Sequence, residues 1–198
     1  MKIVRTDKEL HTPMIDAKIK EAGHQLVLLP DGITEDQLIE ETKDTDLILM
    51  CYTPVTRRVI EAAKKLKGIV KYGVGIDAID IPAATAKGIP VVNIPEYAEQ
   101  TVAEGAFAML IALAKKLPAI QNQMVSDGWA WPEPKWLGSD IAGKTLGIVG
   151  FGKIGKSIAR MANHGFRARV IAFSPHTDDH EMAKFGVTKY NSLSKLLS

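Results

Sequence analysis

Thr145–Gly155 reads TLGIVGFGKIG, an apolar run that passes directly into Gly150-x-Gly152-x-x-Gly155. No other stretch narrows the fold so far. Lys156–Asn163 has helical spacing, with Ile158, Ala159, Met161 and Ala162 available to a sheet. Gly165 ends that helix, and Ala168–Phe173 is a second strand. A strand, a glycine turn, a helix and a strand in this order form the βαβ unit that seats a diphosphate on a helix N-terminus. Gly150 is expected to make the tight turn, Gly152 to let a pyrophosphate reach the backbone, and Gly155 to let helix and strand pack closely. Unbonded N–H groups and a partial positive charge would then face the phosphates. A ligand-free strand–helix turn is the competing interpretation, and a methyltransferase-type nucleotide site a smaller one. The strand–helix–strand setting favours a dinucleotide.

The position that reads the ribose holds Ser174, where an NAD site has Asp or Glu. A serine can hydrogen-bond a ribose hydroxyl and does not repel a 2′-phosphate. His176, Arg167 and Arg169 stand nearby and could add positive charge, although two such arginines usually form a solvated surface. NAD and NADP both stay open. Asp178 and Asp179 suit the cap of a following helix.

Upstream, short apolar strands alternate with capped helices. Ile3–Val4, Gln25–Leu29, Leu47–Cys51, Ile69–Lys71 and Val91–Asn93 read as strands. Thr12-Pro13, the capping box Thr34–Gln37, Thr56 and Asp80-Ile81-Pro82 open the helices between them. This alternation predicts a parallel sheet covered on both faces. Thr101–Glu104 reads as another capping box, opening a long apolar helix to about Lys116. A boundary is expected near Pro95–Thr101. Asp127–Lys144 holds Trp129, Trp131 and Trp136 and reads as an irregular arm.

A second constellation is Lys71-Tyr72-Gly73-Val74-Gly75-Ile76-Asp77, at the carboxyl end of a strand, where open α/β sheets bind ligands. Gly73 and Gly75 around Val74 could turn successive N–H groups inward as a small anion nest suited to a carboxylate. An ordinary strand–helix turn explains the spacing equally well.

Composition excludes several classes. The net charge of +2 comes with scattered lysines and arginines, so no nucleic-acid stripe is expected. Cys51 is the single cysteine, no Cys/His cluster has zinc spacing, and no metal site is expected. Val102–Ala114 contains Glu104 and falls short of the roughly 20 apolar residues of a membrane span. Met1–Arg5 is too short an apolar run for a signal peptide. A reduced, cytoplasmic setting is the expectation. His11, His24, His164, His176 and His180 read as solvated side chains.

Thr56–Ala63 (TRRVIEAA), Lys71–Asp80 (KYGVGIDAID), Val91–Pro95 (VVNIP), Thr101–Glu104 (TVAE) and Thr145–Gly155 together resemble the D-isomer-specific 2-hydroxyacid dehydrogenase family in order and spacing. The resemblance implies an α/β protein: a flavodoxin-like substrate lobe over 1–95, then a partial Rossmann-type nucleotide lobe over 96–198 with a dimerisation arm at about 117–144. It implies hydride transfer between NAD or NADP and a small D-2-hydroxy or 2-oxo acid. Carried over by position, Gly73, Val74 and Gly75 would hold the substrate carboxylate and Tyr52 would face the acid. Thr101 would lie near the nicotinamide, and the backbone of Lys153 and Ile154 would meet the pyrophosphate. Trp129–Trp136 would bury against a second copy, giving a homodimer.

Two departures stand out. Met50 occupies the place where phosphoglycerate dehydrogenases carry an arginine. The family's working arginine, glutamate and histidine are expected beyond Ser198, so no catalytic residue is assigned within this chain and the chain alone is expected to be inactive. Leu193–Ser198 is similar to the helix before the nucleotide lobe's third strand. The alternative is a non-catalytic NAD(H)-binding module that regulates or binds a protein partner.

Overall fold

Four-residue apolar strands, each followed by a capped helix, build the first part of the chain. In the computed structural model, which describes residues 1–129 and 131–198, the chain divides into Met1–Tyr97 and Ala98–Ser198. The first unit contains β1 (Lys2–Arg5), α1 (Pro13–Glu21), β2 (Gln25–Leu28), α2 (Glu35–Thr42), β3 (Leu47–Met50), α3 (Arg57–Ala62), β4 (Gly68–Lys71), α4 (Ile81–Ala86) and β5 (Val91–Val92). The strands lie in the order β2-β1-β3-β4-β5, and every neighbouring pair is parallel. That order is the flavodoxin-like winding, whose direction reverses between β1 and β3. The expected α/β architecture with parallel sheets is what the chain adopts.

Val4, Ile48, Met50, Ile69, Val59 and Ile60 are fully buried and join the sheet to its helices. The Thr34–Gln37 capping box forms in full, while Thr56 and Asp80 accept from the amides of Val59 and Ala83. Thr12 makes no such bond, so Pro13 alone marks the start of α1. Helix α3 stops at Ala62, because Ala63 turns to extended backbone.

The second unit contains α5 (Glu99–Ala114), α6 (Leu117–Asp127), β6 (Thr145–Val149), α7 (Lys153–Arg160), β7 (Arg169–Phe173), α8 (Asp179–Ala183), β8 (Val187–Lys189) and α9 (Leu193–Leu197). The sheet is parallel, ordered β6-β7-β8. Phe151, Ala159, Ala162, Val170, Ala172 and Met182 form its core, with Phe107 of α5 added.

Two expectations need correction here, the capping role of Thr101 and the place of the third strand. Helix α5 begins at Glu99 after Ala98, so Thr101 lies inside the first turns instead of capping them; Glu104 bonds Gln100. Residues 117–127 form a helix, because Lys116 takes a left-handed φ of 56° and the chain restarts with Pro118 in the first turn. The third strand, β8, precedes the Leu193–Leu197 helix rather than following it.

Candidate functional site

In the first unit the carboxyl ends of β1 and β4 carry three charged side chains that are nearly completely buried, Arg5, Asp7 and Lys71. Arg5 grips Asp16 with two bonds of 3.0 Å and donates to the carbonyls of Asp7 and Leu10. Asp7 stands at the reversal between β1 and β3, with a left-handed φ of 56°. Its carboxylate accepts from the amides of Cys51 (2.9 Å), Tyr52 (3.1 Å) and Thr53 (3.1 Å), and from the hydroxyls of Thr6 (2.6 Å) and Thr53 (2.9 Å). Burial alone would raise the Asp7 carboxyl. The bonds from Thr6, Cys51, Thr53 and Tyr52 outweigh it and hold the group below the usual aspartate value. The crevice at the topological reversal, the usual ligand seat, is therefore filled by the protein's own anion.

One strand over, the loop after β4 has the opposite character. The carbonyl of Gly73 accepts from the amide of Ile94 (3.0 Å), and that of Val74 from the Asn93 side chain (2.7 Å). The amides of Gly73, Val74 and Gly75 donate to no acceptor among the described residues. Carbonyls are tied back on one side and N–H groups are left available, as an anion site requires. Neither glycine has a positive φ, so the loop exposes these N–H groups without left-handed backbone. Gly73 leaves room for the lysine: a Cβ there would lie 2.8 Å from Cε of Lys71 and would push that side chain aside.

Lys71 runs along Gly73 to donate to the Cys51 carbonyl, and its ammonium lies 5.3 Å from the centre of the Tyr52 ring. Tyr52 itself is 71% exposed. Tyr72 is bonded inward, its hydroxyl donating to the Thr6 carbonyl (2.8 Å), and burial first of all pushes its pKa up to about 12. It is thus a neutral donor across the working pH range.

In the second unit, Gly150 follows β6 with φ 93°, and its amide donates to the Phe173 carbonyl of β7 (2.8 Å). A Cβ at Gly152 would meet nothing within 4 Å, whereas one at Gly155 would lie 2.3 Å from the Gly150 carbonyl oxygen. The turn is left-handed, open above Gly152, and closed tight where α7 crosses β6. Amides of Gly152 and Ile154 find no acceptor among the described residues. Lys156, one turn into α7, is engaged by Glu181 at 2.7 Å. Phe151, between the glycines, is buried edge-on against Phe185 (5.7 Å) and anchors the turn.

Ser174 is buried at the end of β7, its hydroxyl 3.2 Å from that of Thr177, which donates to the Phe151 carbonyl (3.4 Å). His176 is exposed beside it. Asp178 accepts from the Glu181 amide at 2.7 Å, capping α8. The hydroxyl of Thr101 is exposed and makes no hydrogen bond with a described residue. None of the five histidines hydrogen-bonds a carboxylate among the described residues, and those residues include no group of three or more His, Cys, Asp or Glu that could hold a metal ion. No helix is long and apolar enough to cross a membrane among those residues.

Residues that the sequence did not single out are Arg5, Asp7, Asn93 and the Lys71 side chain. Their one sequence signal is position: each is at or just past the carboxyl end of a strand, the edge where α/β sheets bind ligands.

Residues 4–190 match the family model of the D-isomer specific 2-hydroxyacid dehydrogenase catalytic domain. The chain belongs to that family. It is 36% identical over 197 residues to a D-3-phosphoglycerate dehydrogenase of Methanocaldococcus jannaschii, covering 99% of this chain and 36% of that protein. A glyoxylate reductase of Korarchaeum cryptofilum is 39% identical over 163 residues, covering 81% of this chain and 48% of that protein. Among solved structures, D-lactate dehydrogenase from Aquifex aeolicus, complexed with NAD and lactic acid, is similar with a TM-score of 0.79 and 26% identity, over 98% of this chain and 57% of that one. An acyclic imino acid reductase in complex with NADPH and D-Arg is similar with a TM-score of 0.81 and 28% identity, over 99% and 62%. The chain thus spans 36% and 48% of the length of those two sequence relatives.

Proposed function

We propose that this chain supplies the acid-binding lobe and the dinucleotide-binding turn of an NAD(P)-dependent oxidoreductase acting on small D-2-hydroxy or 2-oxo acids. The supporting observation is the β6–α7 turn: left-handed at Gly150, open above Gly152, and closed at Gly155, where an added Cβ would lie 2.3 Å from the Gly150 carbonyl oxygen, so that only glycine fits. Gly152 and Ile154 would give their unbonded amides to the pyrophosphate, with the Lys153 backbone beside them. Ser174 and His176 would meet the adenosine ribose, and Thr101 the nicotinamide end. In the other unit, the amides of Gly73, Val74 and Gly75 would hold the acid's carboxylate, with Tyr52 facing its remainder. When bound, the nicotinamide supplies or accepts the hydride. Titration of this chain with NADH, followed by nucleotide fluorescence, tests the assignment; no saturable binding at millimolar nucleotide would remove it.

Because no carboxylate stands at the end of β7, NADPH is expected to bind within about tenfold of NADH, a gap below about 1.4 kcal/mol. A preference of a hundredfold for NADH would show that Ser174 does not face the ribose.

No group of this chain is assigned to proton transfer. The expected result with pyruvate, glyoxylate or hydroxypyruvate is nucleotide binding without NAD(P)H oxidation by the isolated chain. Steady oxidation would overturn that expectation.

Self-association fits the arm that follows α6. Trp129 and Trp131 are 62% and 76% exposed and meet edge to face, while Leu113, Leu117, Val125 and Leu137 also stand in solvent. So much exposed apolar and aromatic surface in one region favours burial against a partner, and a second copy is the proposed one. Sedimentation at micromolar concentration is expected to give a dimer, and Trp129→Ser with Trp131→Ser a monomer; a monomeric parent chain would overturn the assignment.

A further inference from the structure

The three buried charges of the first unit are not balanced alike. Arg5 has Asp16 in a two-bond ion pair, and Asp7 has five donors on its carboxylate. Lys71 is 7% exposed and belongs to no ion pair among the described residues. Its hydrogen-bond acceptors are the carbonyl of Cys51 and, at 3.6 Å, the weakly accepting Cys51 sulfur. The Tyr52 ring lies beneath the ammonium but can offer only the negative face of its π system. An ammonium carries three donors and a full charge, and burying it without an anion is costly. Asp7, a buried carboxylate, is occupied on the amide side of Cys51, whereas Lys71 donates to the carbonyl of that residue.

The uncompensated cation coincides with the uncompensated amides. The Lys71 stem lies against Gly73, with Nζ 3.3 Å from where a Gly73 Cβ would be, and the N–H groups of Gly73, Val74 and Gly75 have no acceptor. A buried positive charge therefore lies beside a loop that carries three unbonded amides. We propose that Lys71 is the charged partner of the carboxylate bound at Gly73–Gly75, so that this unit carries its own cationic clamp for a 2-oxo acid. The inference rests on the proposed role of that loop and adds the residue that makes it selective for an anion over a neutral carbonyl compound. Lys71 contacts the ligand directly and moves no proton.

The test uses the 198-residue chain and oxamate, an unreactive 2-oxo carboxylate, with the uncharged pyruvamide as control. Amide 15N–1H shifts of Gly73, Val74 and Gly75 report docking, and thermal melting reports the structural cost. In the parent chain, oxamate is expected to shift these amides saturably and pyruvamide to leave them unmoved. Lys71→Met is expected to weaken oxamate at least tenfold while leaving the melting temperature equal or higher, since an isosteric apolar chain removes a buried unpaired charge. Lys71→Arg should keep affinity within a few-fold. Lys71→Gln retains a donor for the Cys51 carbonyl without the charge, and should lose binding as Met does; it decides the matter should the Met variant fold poorly. Equal oxamate affinity in the Met or Gln variant overturns the role of Lys71 and leaves the loop's role standing. Lower melting in both variants counts against it too, because Lys71 would then be a structural tie for Cys51. A parent chain whose Gly73–Gly75 amides do not respond removes the loop assignment itself.

Discussion

Gly155→Ala is expected to lower the stability of the second unit by about 3 kcal/mol and to abolish dinucleotide binding. The new methyl would sit 2.3 Å from the Gly150 carbonyl oxygen. That atom is backbone, already fixed by the bond from the Gly150 amide to Phe173, so no side chain can swing away. Overpacking a tight contact costs about 1–3 kcal/mol and more when the backbone must move. For a unit of this size the midpoint should fall by about 10–20 °C. Trp129, Trp131 and Trp136 all lie in the second unit, so tryptophan fluorescence reads it selectively. Gly152→Ala is the informative contrast. A Cβ there meets nothing within 4 Å, so stability should change by no more than about 0.5 kcal/mol. The methyl would nevertheless occupy the approach proposed for the pyrophosphate, and NADH affinity should fall at least tenfold. Undiminished NADH binding by the Gly152 variant would mean that the diphosphate does not lie over that turn.

The glycine turn was legible because its three constraints are local. A bend, an open approach and a close helix crossing all fall within Gly150–Gly155, and each demands the same residue. The parallel strands were legible for a similar reason: Leu47–Met50 and Gly68–Lys71 are short apolar runs between capping signals. Thr101–Glu104 shows the limit of such signals. The pattern of a capping box is there, but α5 starts at Glu99, so the threonine is left on an exposed helical surface. Strand β8 is only three residues with a threonine at its centre, and its pairing with β7 gives it a register that its own pattern does not announce. The charged residues of the first unit escaped for another reason. Asp7 meets Cys51, Tyr52 and Thr53 across 44 to 46 positions of chain, and Lys71 meets Cys51 across 20. No local spacing encodes such contacts. They appear only when the sheet order brings the ends of β1, β3 and β4 side by side.

Asp7→Ala is expected to cost the first unit about 3–5 kcal/mol, the scale for removing one partner from a buried charged network. The substitution would leave the amides of Cys51, Tyr52 and Thr53 and two hydroxyls without their acceptor in a site that is nearly closed to water. It would also place alanine at a φ of 56°, a left-handed conformation that asparagine and aspartate tolerate better. Asp7→Asn keeps that backbone and one acceptor oxygen, so its loss should be smaller, about 1–2 kcal/mol. The pH dependence separates charge from shape. The folded-state carboxyl titrates below its unfolded value of 3.8. Its stabilisation is therefore fully present above that value and disappears as pH falls through the lower, folded one. Urea melts of the parent chain should lose stability between about pH 5 and the acid limit, and the Asn variant should lose less over the same window. Identical slopes for the two would show that the Asp7 charge does not anchor the loop. Because the same carboxylate holds the amides of residues 51–53, both variants should also loosen Tyr52 over Lys71. Oxamate binding by the Asn variant should then weaken by about the same factor at pH 7, far above the titration, as at pH 5.5.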